Sequence, residues 1–298
     1  MHKNYFFALL LLCGMPGILL AQAKTDTLWH GTPIKISNQF SFTEGPASDK
    51  HGNVFFTDQP NNKIWKYATD GTLSVFMDAA GRANGMFFDK KGNLIACADE
   101  HDQLWSINPK GKVKVLVKDF KGVRMNGPND VWASPSGGLY FSDPYYQRDY
   151  WKRQSPDLKT MDVYYLPANR GPVRRVINDL KKPNGLVGTP DGKLLYVSDI
   201  DANKVYVYTI ASDGSLGNRR LFSEGHRTDG MTIDNKGNVY LCGKGVTIID
   251  PQGKQIGYIP IPEPWSANAC FGGKNDDTLF IAASTALYKV PMKVKGVR

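Results

Sequence analysis

Six copies of one short pattern run along this chain, and that repetition limits its fold more than any other feature. Each copy opens on an oxygen-bearing side chain, usually followed by glycine, and runs into a short apolar segment. The openers are Glu44-Gly45-Pro46, Asn84-Gly85-Met86, Asn129-Asp130-Val131, Asn184-Gly185-Leu186, Asp229-Gly230-Met231 and Asn268-Ala269-Cys270, spaced by 40, 45, 55, 45 and 39 residues. Eight residues after the opener stand Gly52, Gly92, Gly137, Gly192 and Gly237, with Asp276 in the sixth copy. A second apolar run follows, from Val54-Phe55-Phe56 in the first copy to Leu279-Phe280-Ile281 in the last, and then an alternating one such as 63–67 or 204–208. Repeats of this length belong to arrays or rings of similar units. Short apolar runs between Gly, Asn and Asp turns, with almost no helical periodicity, are strands. Six four-stranded copies predict an all-β, six-bladed β-propeller. The last copy runs out of chain soon after 286–290, so 27–36, ahead of the first copy, is the expected strand that closes the last blade.

Residues 1–23 stand apart from this pattern. A basic start at His2 and Lys3, an apolar run from Tyr5 to Leu20 and the small-x-small triplet Ala21-Gln22-Ala23 have the layout of a secretory signal. The run is broken by Gly14, Pro16 and Gly17, which argues against a membrane span. Residues 24–298 are then the expected propeller domain of an exported protein, periplasmic or secreted, with no stable membrane insertion after cleavage. The formal charge of +9 is scattered rather than gathered on a face, and no recognition motif accompanies it, so nucleic acid is not an expected partner. Cys97, Cys242 and Cys270 are left after cleavage, an odd number without metal-site spacing, each in or beside an apolar run where a free thiol packs as a small hydrophobe.

In a propeller the first strand of each blade lines the central channel, so six residues at the start of those strands form a ring at one mouth. Here the ring reads Glu44, Asn84, Asn129, Asn184, Asp229 and Asn268, all carrying side-chain oxygen. Turn chemistry explains Asn-Gly and Asp-Gly pairs, but not Glu44, nor Asn129 ahead of Asp130. Carboxylate and amide oxygens suit a hard cation, calcium first and magnesium or manganese next. Glu44 and Asp229 match the charge of one divalent ion, and an open coordination shell suits metal-assisted hydrolysis.

These residues also carry a family likeness. Phe42-Thr43-Glu44-Gly45-Pro46, Arg124-Met125-Asn126-Gly127-Pro128-Asn129-Asp130-Val131, Tyr140-Phe141-Ser142-Asp143-Pro144, Lys182-Pro183-Asn184-Gly185-Leu186, Tyr196-Val197-Ser198-Asp199 and Thr228-Asp229-Gly230-Met231 follow one another in the order of the senescence-marker-protein/gluconolactonase/luciferin-regenerating-enzyme family, which the chain resembles over about 41–283. The resemblance implies a six-bladed propeller, a divalent metal (commonly calcium, with magnesium, manganese or zinc as substitutes) and hydrolysis of a small-molecule lactone. It implies metal ligands at Glu44, Asn129, Asn184 and Asp229.

On this reading Asp229 is the expected base for the attacking water, and His101, after Ala98-Asp99-Glu100, is a second candidate base. Arg124 and Asn129 are candidate substrate contacts. The longest insertion, 144–161, carries Tyr145, Tyr146, Tyr150 and Trp151. It is the expected lid over the channel mouth, with Tyr145 and Trp151 as sugar-stacking candidates. Three other readings compete: a phosphotriesterase on the same metal site, a non-catalytic ligand-binding propeller, and a strictosidine-synthase-like condensing enzyme. The last would keep a lone glutamate without the Asn/Asp set. No Gly-x-Ser-x-Gly elbow supports a serine esterase.

Overall fold

Each of the six repeats folds into a four-stranded antiparallel sheet, and the sheets form a ring. The protein is described by a computed structural model covering residues 1–2 and 27–297. The proposed export segment 1–23 therefore lies, but for its first two residues, outside the described residues. Blade 1 runs Thr43–Ser48, Val54–Asp58, Lys63–Tyr67 and Leu73–Asp78 from the channel outward. Blades 2 to 5 repeat that order, starting from Ala83–Phe88, Val131–Ala133, Pro183–Gly188 and Met231–Ile233. Blade 6 is Ser266–Gly272, Thr278–Ala283 and Ala286–Pro291, completed by Ile34–Ser37 from the other end of the chain. The closing strand is shorter than the expected 27–36. Pro33, which has no N–H to donate to a ladder, directly precedes Ile34, and among the described residues ahead of it Trp29 makes an isolated bridge, to Met292.

Burial follows the distance from the axis. The second strand of every blade is almost wholly buried, whereas outer strands such as Leu73–Asp78 and Leu216–Glu224 alternate or face solvent. Apolar side chains from facing blades fill the wedges between them, as where Trp132, Tyr140, Tyr165 and Leu186 join blades 3 and 4. Cys97, Cys242 and Cys270 are buried free thiols within this packing.

The inner strands meet so closely at the ring that side chains would collide. A Cβ on Gly45 would lie 2.1 Å from the Asn84 carbonyl oxygen, and one on Gly230 would lie 2.0 Å from Asn268 Cγ. Glycine after the opener is thus a packing requirement between neighbouring blades, not the mark of a turn. The approach is stitched by backbone bonds: Gly85 N–H donates to Asn129 O (2.7 Å), Gly185 N–H to Asp229 O (3.0 Å) and Gly230 N–H to Ala267 O (2.7 Å). The six openers therefore encircle one axis. At the opposite mouth the inner strands enclose a cavity of about 370 Å³, lined by apolar side chains such as Met86, Trp132, Leu186 and Phe271, with Asp130 and Asn268 at its wall.

Candidate active site

Two local devices hold the ring side chains. In blades 1, 2, 4 and 6 the pairing of the two innermost strands slips at the opener, between Glu44 and Ala47, Ala83 and Met86, Pro183 and Leu186, and Ser266 and Asn268. Such bulges re-aim side chains at strand ends. In blades 1, 3 and 4 the second strand ends on an aspartate that accepts two backbone N–H bonds from the segment leading into the opener. Asp58 takes Ser41 N–H and Phe42 N–H (3.0 and 3.3 Å), Asp143 takes Asn126 N–H and Gly127 N–H (both 2.9 Å), and Asp199 takes Lys181 N–H and Lys182 N–H (2.9 and 3.0 Å). These carboxylates clamp the approaches to Glu44, Asn129 and Asn184. Blade 5 has Gly243 at that place, close against the Arg227 carbonyl, and Asp229 is held instead by Trp265, whose Nε1–H donates to its Oδ2 at 2.6 Å.

Glu44, Asn129, Asn184 and Asp229 are all buried, at 3, 5, 3 and 9% exposure. Burial, followed by the Asp229 and Asp130 charges, pushes the Glu44 carboxyl well above its usual range. Burial raises Asp229 to about 6, against hydrogen bonds from Trp265 and Asn184 and the charges of Arg227 and Arg148. The Asn129 amide has no side-chain hydrogen bond among the described residues. Two buried carboxylates that repel one another, with two amides beside them, make a donor set fitted to a divalent cation with oxygen preference. No group of three or more His, Cys, Asp or Glu gathers among the described residues, so amide oxygens must complete any such shell.

The insertion folds down on the mouth. Arg148 pairs with Asp99 (2.9 Å), Tyr150 also bonds Asp99, Arg153 pairs with Asp102 (2.5 Å), and Asp157 pairs with Arg124 (2.7 Å). These anchors bring Tyr146 to the ring, where its hydroxyl accepts a 3.0 Å bond from Asn184 Nδ2.

Four of the sequence candidates end up elsewhere. Arg124 is taken up by Asp157 and half exposed, so the substrate role expected of it has no geometric support. Trp151 is buried against Gly127 under the Arg153 guanidinium (3.8 Å), and Tyr145 packs beside it with its hydroxyl bonded to Gln147. Trp151 is thus covered and Tyr145 half-buried within the insertion, and neither makes a hydrogen bond to the ring. His101 is exposed and stacks on Trp105 (centroids 5.2 Å, 22° between planes), without a hydrogen bond to the ring. His101→Ala should keep kcat within about threefold, since an exposed side chain outside the constellation contributes little; a hundredfold loss, the scale of general-base removal, would reinstate it as the base. Tyr146 and Trp265, missed in the sequence, touch the ring directly. A partial signal existed for Tyr146, which lies in the long insertion; Trp265, three residues before Asn268, had none.

Residues 42–285 match the family described as SMP-30/Gluconolactonase/LRE-like region. A gluconolactonase of Zymomonas mobilis is 32% identical, over 89% of this chain and 83% of that protein. The solved structure of a Xanthomonas campestris gluconolactonase is 28% identical, covers 87% of this chain and 89% of its own, and superposes with a TM-score of 0.81. The calcium-binding protein regucalcin of Agrobacterium tumefaciens shares the fold at a TM-score of 0.75 with 17% identity, over 89% of this chain and 95% of its own. The relatives support a lactonase. With its motifs, its ring of six blades and a match over most of its length, this chain belongs to the SMP-30/gluconolactonase/LRE-like family.

Proposed function

We propose that this protein opens a sugar-type lactone with the help of one divalent cation, calcium, held by Glu44, Asn129, Asn184 and Asp229. The observation that carries the reading is the buried pairing of Glu44 with Asp229 beside the Asn129 and Asn184 amides, at one mouth of the channel. When bound, such a cation supplies a Lewis acid that draws charge from the lactone carbonyl. The protein's own groups do the rest. Trp265 fixes Oδ2 of Asp229 and leaves Oδ1 to take a proton from the attacking water. Water oxygen bonds to the acyl carbon, the acyl–ring-oxygen bond breaks, and the ring oxygen takes up a proton to leave a hydroxy acid. Tyr146 holds Asn184 in place. The layout of residues 1–23 supports export as the setting for this reaction.

The test is a set of aldonolactones assayed after chelation and again after adding back calcium, magnesium, manganese or zinc. Chelation should remove turnover and calcium should restore it best. Turnover untouched by exhaustive chelation would refute the metal-dependent reading.

A further inference from the structure

The rim above the ring is basic and built on the two aromatics that touch the ring. Lys182 Nζ lies 4.6 Å from the centroid of Tyr146, the Arg148 guanidinium 5.5 Å from the same centroid, and Arg227 5.8 Å from the centroid of Trp265. Tyr146 reaches Asn184 and Trp265 reaches Asp229, so all three cations stand one side chain away from the reacting centre. Arg148 and Arg227 also act electrostatically on Asp229.

Their counter-charges are fewer. Arg148 pairs with Asp99 at 2.9 Å, a carboxylate that also accepts from Tyr150. Lys182 and Arg227 share Asp201, at 3.3 and 3.6 Å, both longer than a tight charge-assisted bond. Outside the ring itself, three cations thus face two carboxylates. Of this group Arg227 and Asp201 are the accessible members, with side-chain exposures of 62% and 41%, while Lys182 at 20% and Arg148 at 22% are partly covered. A neutral polyol offers Lys182 and Arg227 nothing that Asp201 and water do not. A carboxylate, phosphate or sulfonate oxygen would give each a closer partner, and a basic rim raises the local concentration of anions.

We infer that the lactone taken by this site carries an anionic group remote from its ester, bound by Lys182 and Arg227 with Arg148 fixed behind them. The inference rests on the lactonase reading and narrows it to acidic sugar lactones.

The test compares kcat/KM for 6-phosphoglucono-δ-lactone and glucaro-1,4-lactone with that for neutral glucono-δ-lactone, at low and high salt. The anionic substrates should be favoured by about tenfold or more at low salt, with the preference shrinking as salt screens the rim. Whichever anion gives the larger preference tells phosphate from carboxylate. In the double variant Lys182→Gln/Arg227→Gln the anionic-to-neutral ratio should fall about tenfold, through KM rather than kcat. Calorimetric titration with 6-phosphogluconate and with gluconate gives a readout independent of turnover, and the phosphorylated acid should bind the native protein more tightly than the variant. A native ratio near one, a ratio unchanged in the double variant, or equal affinity for the two acids would overturn the inference. If no lactone of either charge is opened with any metal, the lactonase reading fails, and the titration still decides the anion site.

Discussion

Asp229→Asn should lower kcat by about three orders of magnitude at saturating calcium, within the range expected for loss of a general base. The substitution keeps the shape of the side chain and one oxygen, which can still accept from Trp265 Nε1–H at the Oδ2 place, and puts an NH2 group, which cannot take the proton, where Oδ1 stood. Calcium affinity, followed separately by titration, should weaken with the lost charge, which is why kcat at saturation is the quantity to read. The alternatives nearby make the test sharp. Asp130 also lies at the ring, raised to about 7 by burial, but its oxygens are already engaged by Val131 N–H (2.9 Å), Leu186 N–H (3.3 Å) and Asn268 Nδ2 (3.5 Å). A kcat within tenfold of native in Asp229→Asn would move the base to another group.

The second large effect is on stability. Calcium at about a hundredfold over Kd should stabilise the native protein by about 2.7 kcal/mol. In a domain of this size that is a rise of about 5 °C in Tm. Glu44→Gln should abolish most of that rise while leaving the metal-free protein at least as stable as the native one. The sign follows from the site: without a cation, Glu44 is a buried acid facing Asp229 and Asp130, and burial together with those charges disfavours its ionised form. Glutamine removes the charge that costs stability in the metal-free state and that attracts the cation in the bound one. Differential scanning calorimetry with chelator and with calcium reads both halves. An undiminished calcium response in Glu44→Gln would exclude Glu44 as a ligand.

Much of the site could be read along the chain because the openers repeat in register with the blades. Glu44 and Asp229 lie far apart in sequence, yet both stand at the entry to an inner strand, Thr43–Ser48 and Met231–Ile233, and a closed ring of similar units sends every such position to one mouth. The aspartates after Ser142 and Ser198 were visible as motif letters, but their work as clamps on the approaches to Asn129 and Asn184 was not, because it depends on which backbone N–H groups the next loop presents. The glycines beside the openers were read as turn formers, and contact between blades turned out to be their reason.

Residues outside the repeat were the hard part. Arg124 and Arg148 are both arginines near the third blade; the first pairs with Asp157 at the surface, the second with Asp99 beside the ring. Among four neighbouring aromatics of the insertion, Tyr146 meets Asn184 while Trp151 is covered by Arg153.

By itself, the sequence determined the number of blades, the closure of the last one by an upstream strand, and the ring of oxygen-bearing side chains, since each follows from a periodic pattern that any one copy displays locally. Only the tertiary structure decided which aromatic and basic side chains reach that ring. Their positions depend on packing between blades and on an insertion with no counterpart in the other copies, where a single residue's shift changes which side chain faces the channel.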